Sequence, residues 1–147
     1  MPEFERRRYS TLSADFEQIK QFLSRADECF EAGRDNILSY RFNRAASDLY
    51  YATFNSARAL LWKMGISTNS HSQVITGLKE IVAKYGFFNT GDEELLDRLI
   101  VLRQIGDYST KGKNIEKEII EPYLPIVEEF IRKTKTILPK IHRAKEL

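Results

Sequence analysis

Arg103 follows Ile100, Leu99 and Leu96 by three, four and seven residues, so on a helix it projects from the same stripe as those apolar side chains. A guanidinium placed there needs a partner. Asp107, one turn on, supplies a carboxylate, in the order that the helix dipole favours less; an exposed pair of this kind contributes about 0.3–0.5 kcal/mol. Two readings are open: an ion pair within or between helices, or an arginine held at a groove or dimer interface, where its planar donor fork meets a phosphate. Tyr108, Ser109, Thr110, Lys111, Gly112, Lys113 and Asn114 follow directly. This hydroxyl-rich basic stretch has the composition of a phosphate cradle and equally that of a solvated connection with cap residues. Arg44 and Arg58, with Arg41, add positive charge if they face the same groove. Tyr50 and Tyr51 can stack a base, or fill a core or a dimer interface. His71, beside the start of a helix, reads as a capping or surface residue ahead of a general base.

Other chemistries lack their residues. The sequence contains no GxxxxGK[ST] phosphate loop, no GxSxG elbow, no HExxH pair and no CxxC. Neither His71 nor His142 has a Glu three residues before it, which sets aside a carboxylate-bridged metal site in a bundle. Two histidines and one cysteine, Cys29, cannot make the usual four-ligand zinc site or an internal disulfide. Nothing calls for a cofactor.

The elements that must position these residues read as helices. Leu12, Phe16, Ile19, Leu23, Ala26 and Phe30 alternate spacings of four and three, predicting a first helix that stops at Gly33. A second opens after Asp35 or Asn36 as N-cap and ends near Gly65. Its stripe is Ala46, Tyr50, Phe54, Ala57, Leu61 and Met64, widened by Leu49, Ala52, Ala59 and Leu60, which predicts a central helix. Ser70 with Gln73 predicts a capping box for a third, carrying Val74, Leu78, Ile81 and Tyr85 and closed by Gly86. Phe87 and Phe88 pin the next turn to the core, and Thr90 with Glu93 forms a second capping box. The fourth helix carries Leu95, Leu96, Leu99, Ile100 and Leu102 toward Gly106, after which Asp107 to Asn114 reads as a loop. Ile119, Tyr123, Ile126, Val127, Phe130, Ile137 and Ile141 outline a long closing helix, in which Pro122 and Pro125 fit only near the first turn.

These 147 residues make one domain, 1–147, with 42% hydrophobic and 30% charged residues, seven glycines and four prolines. That is too apolar for disorder and too poor in turn residues for an all-β chain. The fold class is all-α: five helices with an antiparallel four-helix up-and-down core and the short third helix at one end or side. Lys and Arg number 23 against 21 Asp and Glu, so nucleic-acid binding must be local rather than a property of bulk charge. No uncharged stretch of 18 residues is present, so no membrane role is expected and the cytoplasm is the expected compartment.

The run Asn43-Arg44-Ala45-Ala46-Ser47-Asp48-Leu49-Tyr50-Tyr51-Ala52-Thr53-Phe54-Asn55-Ser56-Ala57-Arg58-Ala59-Leu60-Leu61, followed by Gly65, His71 and Leu102-Arg103-Gln104-Ile105-Gly106-Asp107-Tyr108, resembles the HEPN domain family. The resemblance covers Asp35 to Asn114 in order. It implies a helical bundle that dimerises, often encoded beside a minimal nucleotidyltransferase in a toxin-antitoxin-like pair. Active members of the family are metal-independent ribonucleases with an arginine and, four to six residues later, a histidine. That histidine would move the proton at the ribose 2′-hydroxyl while the arginine stabilises the phosphorane. Arg103 matches the arginine, but positions 107, 108 and 109 are Asp, Tyr and Ser. Asp107 is a poor replacement, because a carboxylate beside a phosphate repels charge. A tyrosine near the motif is modified by the partner nucleotidyltransferase in some members, which makes Tyr108 a candidate acceptor.

The expectation is a homodimer that holds RNA or a nucleotide around Arg103, Tyr108, Lys111, Lys113, Arg44 and Arg58 and associates with a minimal nucleotidyltransferase. The alternatives are a ribonuclease toxin with a displaced base, Asp107 or His71, and a structural dimer in which Arg103 and Asp107 form a buried ion pair.

Overall fold

The structure, a computed structural model, describes residues 3–108 and 114–141, without the side chains of 4–14 and of Tyr108. The helices are α1 (Glu3–Leu38), α2 (Phe42–Lys63), α3 (His71–Lys84), α4 (Thr90–Tyr108), the single turn α5 (Lys117–Ile120) and α6 (Tyr123–Ile137), closed by a 3₁₀ turn, Leu138–Lys140. Among the described residues there is no strand. The all-α expectation holds, with five helices of 14 residues or more.

The polar contacts fix the directions. Asp27 and Arg34 of α1 pair with Lys135 and Glu128 of α6, in reversed order along the two chains. Gly106 of α4 meets Asn43 of α2, and Arg103 meets Tyr50 and Tyr51, again reversed. With a three-residue turn joining α1 to α2, helices α1, α2, α4 and α6 run up and down around one core. α2 lies at its centre, packed against the other three and against α3. Its buried residues face almost every direction, from Ala45 and Leu49 to Ala59 and Leu61. Thr53 and Ser56, fully buried, donate their hydroxyls to the carbonyls of Leu49 and Ala52, so no polar group is stranded there.

Several boundaries differ from the sequence expectation. α1 does not stop at Gly33; the glycine lies inside the helix, where a Cβ would stand 2.9 Å from Leu49 Cδ2, so it lets α2 approach. The chain turns instead at Tyr40, whose φ of 59° is left-handed. Asn36 is therefore no N-cap. It donates to Asp48 at 2.6 Å and accepts from Arg41 at 2.8 Å, fastening the turn across its base. Phe16, placed on the apolar face by its spacing, is exposed, because the buried face of α1 runs through Phe22, Ala26, Phe30 and Ile37.

The Ser70 cap of α3 is present: its hydroxyl accepts from Gln73 N at 3.4 Å. The reciprocal arm passes through Thr68, which accepts from Ser70 N and donates to Gln73 Oε1. The cap of α4 lies one residue earlier than Thr90. Asn89 Oδ1 accepts from Asp92 N at 3.1 Å and Asp92 Oδ2 accepts from Asn89 N at 2.9 Å. Asp92 also takes Lys133 of α6 at 2.8 Å, an ion pair with both side chains largely buried, so the start of α4 is tied to α6. In the turn before it only Phe88 reaches the core, against Phe130; Phe87 stays at the surface. The closing helix is split: α5 ends at Ile120, Pro122 takes the N-cap position of α6, and Pro125 lies in the first turn of α6. Ile119 and Ile126 consequently face outward.

Candidate functional site

The site lies where α2 and α4 cross and α3 begins. α4 continues through Gly106 to Tyr108 rather than giving way to a loop, and the glycine has a packing reason. A Cβ there would come within 3.0 Å of the Asn43 carbonyl and 3.2 Å of its Cα, so only glycine lets the last turn of α4 sit on the first turn of α2. Asn43 also accepts from Ile115 N at 2.9 Å and donates to Asn114 at 3.1 Å, which brings the chain after the segment 109–113 back to the same place.

With that seam fixed, Arg103, one turn earlier on α4, lies over two aromatic rings of α2. Its guanidinium carbon is 4.9 Å from the centre of the Tyr51 ring and 5.4 Å from that of Tyr50. Such cation–π contacts are worth about 0.5–2 kcal/mol and hold the planar group in place. Arg103 Nε donates to Asp107 Oδ2 at 3.2 Å, as the i,i+4 spacing predicts. Both terminal nitrogens, Nη1 and Nη2, are left without a hydrogen-bond partner among the described residues. The side chains of Arg103 and Asp107 are 25% and 37% exposed, so this is not the buried register-fixing pair of the structural alternative.

His71 is the residue whose place the sequence reading missed. It is neither the cap, which is Ser70, nor a surface group, but a half-buried ring at the first position of α3. It stacks on Phe54 at 4.8 Å and on Tyr50 at 5.6 Å, and its Nδ1 shares a hydrogen bond with the Tyr50 hydroxyl. Burial, and then the Arg103 charge, push its pKa below the usual histidine value of 6.5, so the ring is neutral at pH 7. The fully buried Tyr50 is pushed up to about 12, mainly by burial, and stays a phenol. No spacing rule links Tyr50, His71 and Arg103; only the packing of α3 and α4 on α2 does.

The other expected residues are distributed unevenly. Arg44 is exposed and stands seven residues before Tyr51, on the same face of α2 and about 10 Å along it. It lines a shallow pocket with Tyr40, Asn43 and Ile115. Arg58 serves the framework: Nε donates to the Thr68 carbonyl at 3.0 Å, and the guanidinium lies 4.3 Å from the Phe22 ring. It also borders Phe54, the ring on which His71 stacks. Lys111, Lys113 and the Tyr108 side chain lie outside the described residues. Among the described residues no three His, Cys, Asp or Glu side chains gather as metal ligands would, and no helix is long and apolar enough to cross a membrane.

Against known proteins, the sequence pattern of the HEPN domain matches residues 19–137, most of the chain. The chain belongs to the HEPN domain family. Similar proteins include a UPF0332 protein of Archaeoglobus fulgidus, 24% identical over 124 residues that cover 84% of this chain and 98% of the relative. Two proteins of Methanocaldococcus jannaschii are also similar. "Putative toxin MJ0605" is 29% identical over 129 residues, 85% of this chain and 92% of its own length. "Putative toxin MJ0142" is 26% identical over 121 residues, 82% of each chain. Within this HEPN domain, Arg103 of α4 and His71 of α3 share Tyr50 as neighbour: the guanidinium lies over its ring and the imidazole bonds its hydroxyl.

Proposed function

We propose that this HEPN protein is the RNA-binding, toxin-like subunit of a two-component pair: a homodimer that holds RNA or a nucleotide at Arg103 and acts with a minimal nucleotidyltransferase. One observation carries the reading. Arg103 is held from below by Tyr51 and from the side by Asp107, and keeps both Nη groups without a partner among the described residues. That is the donor geometry a phosphate accepts in a bidentate way. Arg44, exposed and in line with Tyr51 along α2, extends the positive strip. The toxin-like role is supported by the names of the two M. jannaschii relatives, and the partner by the family resemblance.

Fluorescence anisotropy with a labelled mixed-sequence single-stranded RNA, in chelator, tests this. Arg103→Ala is expected to weaken binding at least tenfold, about 1.4 kcal/mol, while Arg98→Ala, on the outer face of α4, changes it less than twofold. Equal affinity for wild type and Arg103→Ala overturns the reading.

A second reading, RNA cleavage, is favoured by a specific feature, the presence of His71 in the Arg103 cluster. Asp107, Tyr108 and Ser109 stand where the resemblance implies a histidine, and the His71 imidazole, from α3, bonds the tyrosine over whose ring Arg103 lies.

A further inference from the structure

We propose that the cavity between the start of α4 and the body of α6 is a binding site for a free α-amino acid with a large apolar or aromatic side chain. It is separate from the RNA site and does not rest on it: Arg103 lies eleven residues beyond Asp92, about 16 Å further along α4.

Both α4 and α6 pack on α2 rather than on each other, which leaves a cavity of about 380 Å³ between them, a size that small-molecule sites have. Its apolar wall is Leu95, Tyr123, Pro125 and Ile126. Its polar end is the ion pair of Asp92 and Lys133, whose side chains are only 8% and 14% exposed. The bonding within that pair is one-sided. Asp92 Oδ2 accepts from both Asn89 N and Lys133 Nζ, at 2.9 and 2.8 Å, while Oδ1 accepts from no donor among the described residues. Lys133 spends one of its three N–H donors on Asp92 and has no other partner among the described residues. A carboxylate oxygen buried this far ordinarily meets a donor, because leaving it bare is costly. The other charged groups of the cavity are engaged elsewhere: Arg98 by Glu94 at 2.7 Å, and Glu129 by Arg132 at 2.8 Å.

The two poles select a ligand by its charges. A simple anion drawn to Lys133 meets the Asp92 carboxylate, and a simple cation drawn to Asp92 meets the Lys133 ammonium. A zwitterion answers both, its ammonium donating to Asp92 Oδ1 and its carboxylate accepting from Lys133 Nζ in charge-assisted hydrogen bonds. In an α-amino acid the two groups stand on one carbon, as close together as the poles they meet. The side chain then lies along Leu95, Tyr123 and Ile126, where its burial supplies the hydrophobic part of the affinity.

Equilibrium dialysis of the full chain with radiolabelled L-phenylalanine tests this, with unlabelled analogues as competitors. L-Phenylalanine is expected to bind saturably, with a Kd of about 1 mM or below. Phenethylamine lacks the carboxylate, 3-phenylpropionate the ammonium and glycine the side chain; each is expected to compete at least about tenfold more weakly. Ile126→Glu, at an exposed position of α6, sets a charge on the apolar wall and is expected to weaken binding about tenfold or more at unchanged helix content. Asp92→Asn, which keeps an oxygen for Asn89 N, is expected to do the same by removing the partner of the ammonium. Should Asp92→Asn not fold, Ile126→Glu and the competitors decide. No saturable binding up to about 10 mM overturns the site. A one-pole analogue that competes as well as L-phenylalanine overturns the zwitterion, and full affinity in Ile126→Glu overturns the placement in this cavity.

Discussion

At the scale of single residues, the Tyr50–His71–Arg103 cluster makes the stability of the fold depend on pH. His71 is held below its ordinary pKa in the fold, so between that value and about 6.5 the unfolded chain binds more protons than the native one. Stability therefore rises with pH through this window and is lost as the solution is acidified below pH 6.5. The melting temperature of wild type is expected to fall from pH 7 to pH 5 more steeply than that of His71→Gln, measured by circular dichroism; parallel curves would contradict the placement of His71. The Arg103–Asp107 pair was legible in the sequence, because i,i+4 spacing on one helix fixes the distance. The pairing of Tyr50 with His71 was not, because 21 residues and a loop separate them and only tertiary packing brings the rings together.

At the scale of elements, what could be read was what depends on local pattern. The apolar stripe of α2 and the Ser70 cap both arise within a few residues of chain, and both are present. What misled were signals that have two physical meanings. Glycine ends a helix when it takes a left-handed conformation, as Gly65 does with a φ of 90°, but Gly33 and Gly106 are glycines because another helix presses on them. Thr90–Glu93 and Asn89–Asp92 offer the same capping frame one residue apart, and the buried bond from Lys133 to Asp92 selects the second. The contact of Gly106 with Asn43 matters most for the proposed site. It sets the register of α4 on α2 and so decides which α2 rings lie under Arg103.

At the scale of the whole molecule, α4 presents two different faces. Arg103 and Asp107 look toward α2, while Val101 and Ile105, two residues to either side of Arg103 and about 200° round the helix, are large apolar side chains facing out. We place the seam of the proposed homodimer on that outer face, since a second copy there would cover both side chains and leave Arg103 open. Val101→Glu with Ile105→Glu is expected to convert a dimer at micromolar concentration into a monomer of unchanged helix content, read by sedimentation velocity. A double variant that remains dimeric would place the seam elsewhere.

The proposed landing place of RNA is the cluster of Arg103, Tyr50, Tyr51 and His71, where α2, α3 and α4 meet. The most direct measurement is a side-chain NMR titration with a short single-stranded RNA, following the His71 imidazole and the Arg103 Nε–H signals. Both are expected to shift in step and saturate together, with Tyr51 ring signals moving alongside. Saturable shifts elsewhere on the molecule, with His71 and Arg103 unmoved, would contradict it.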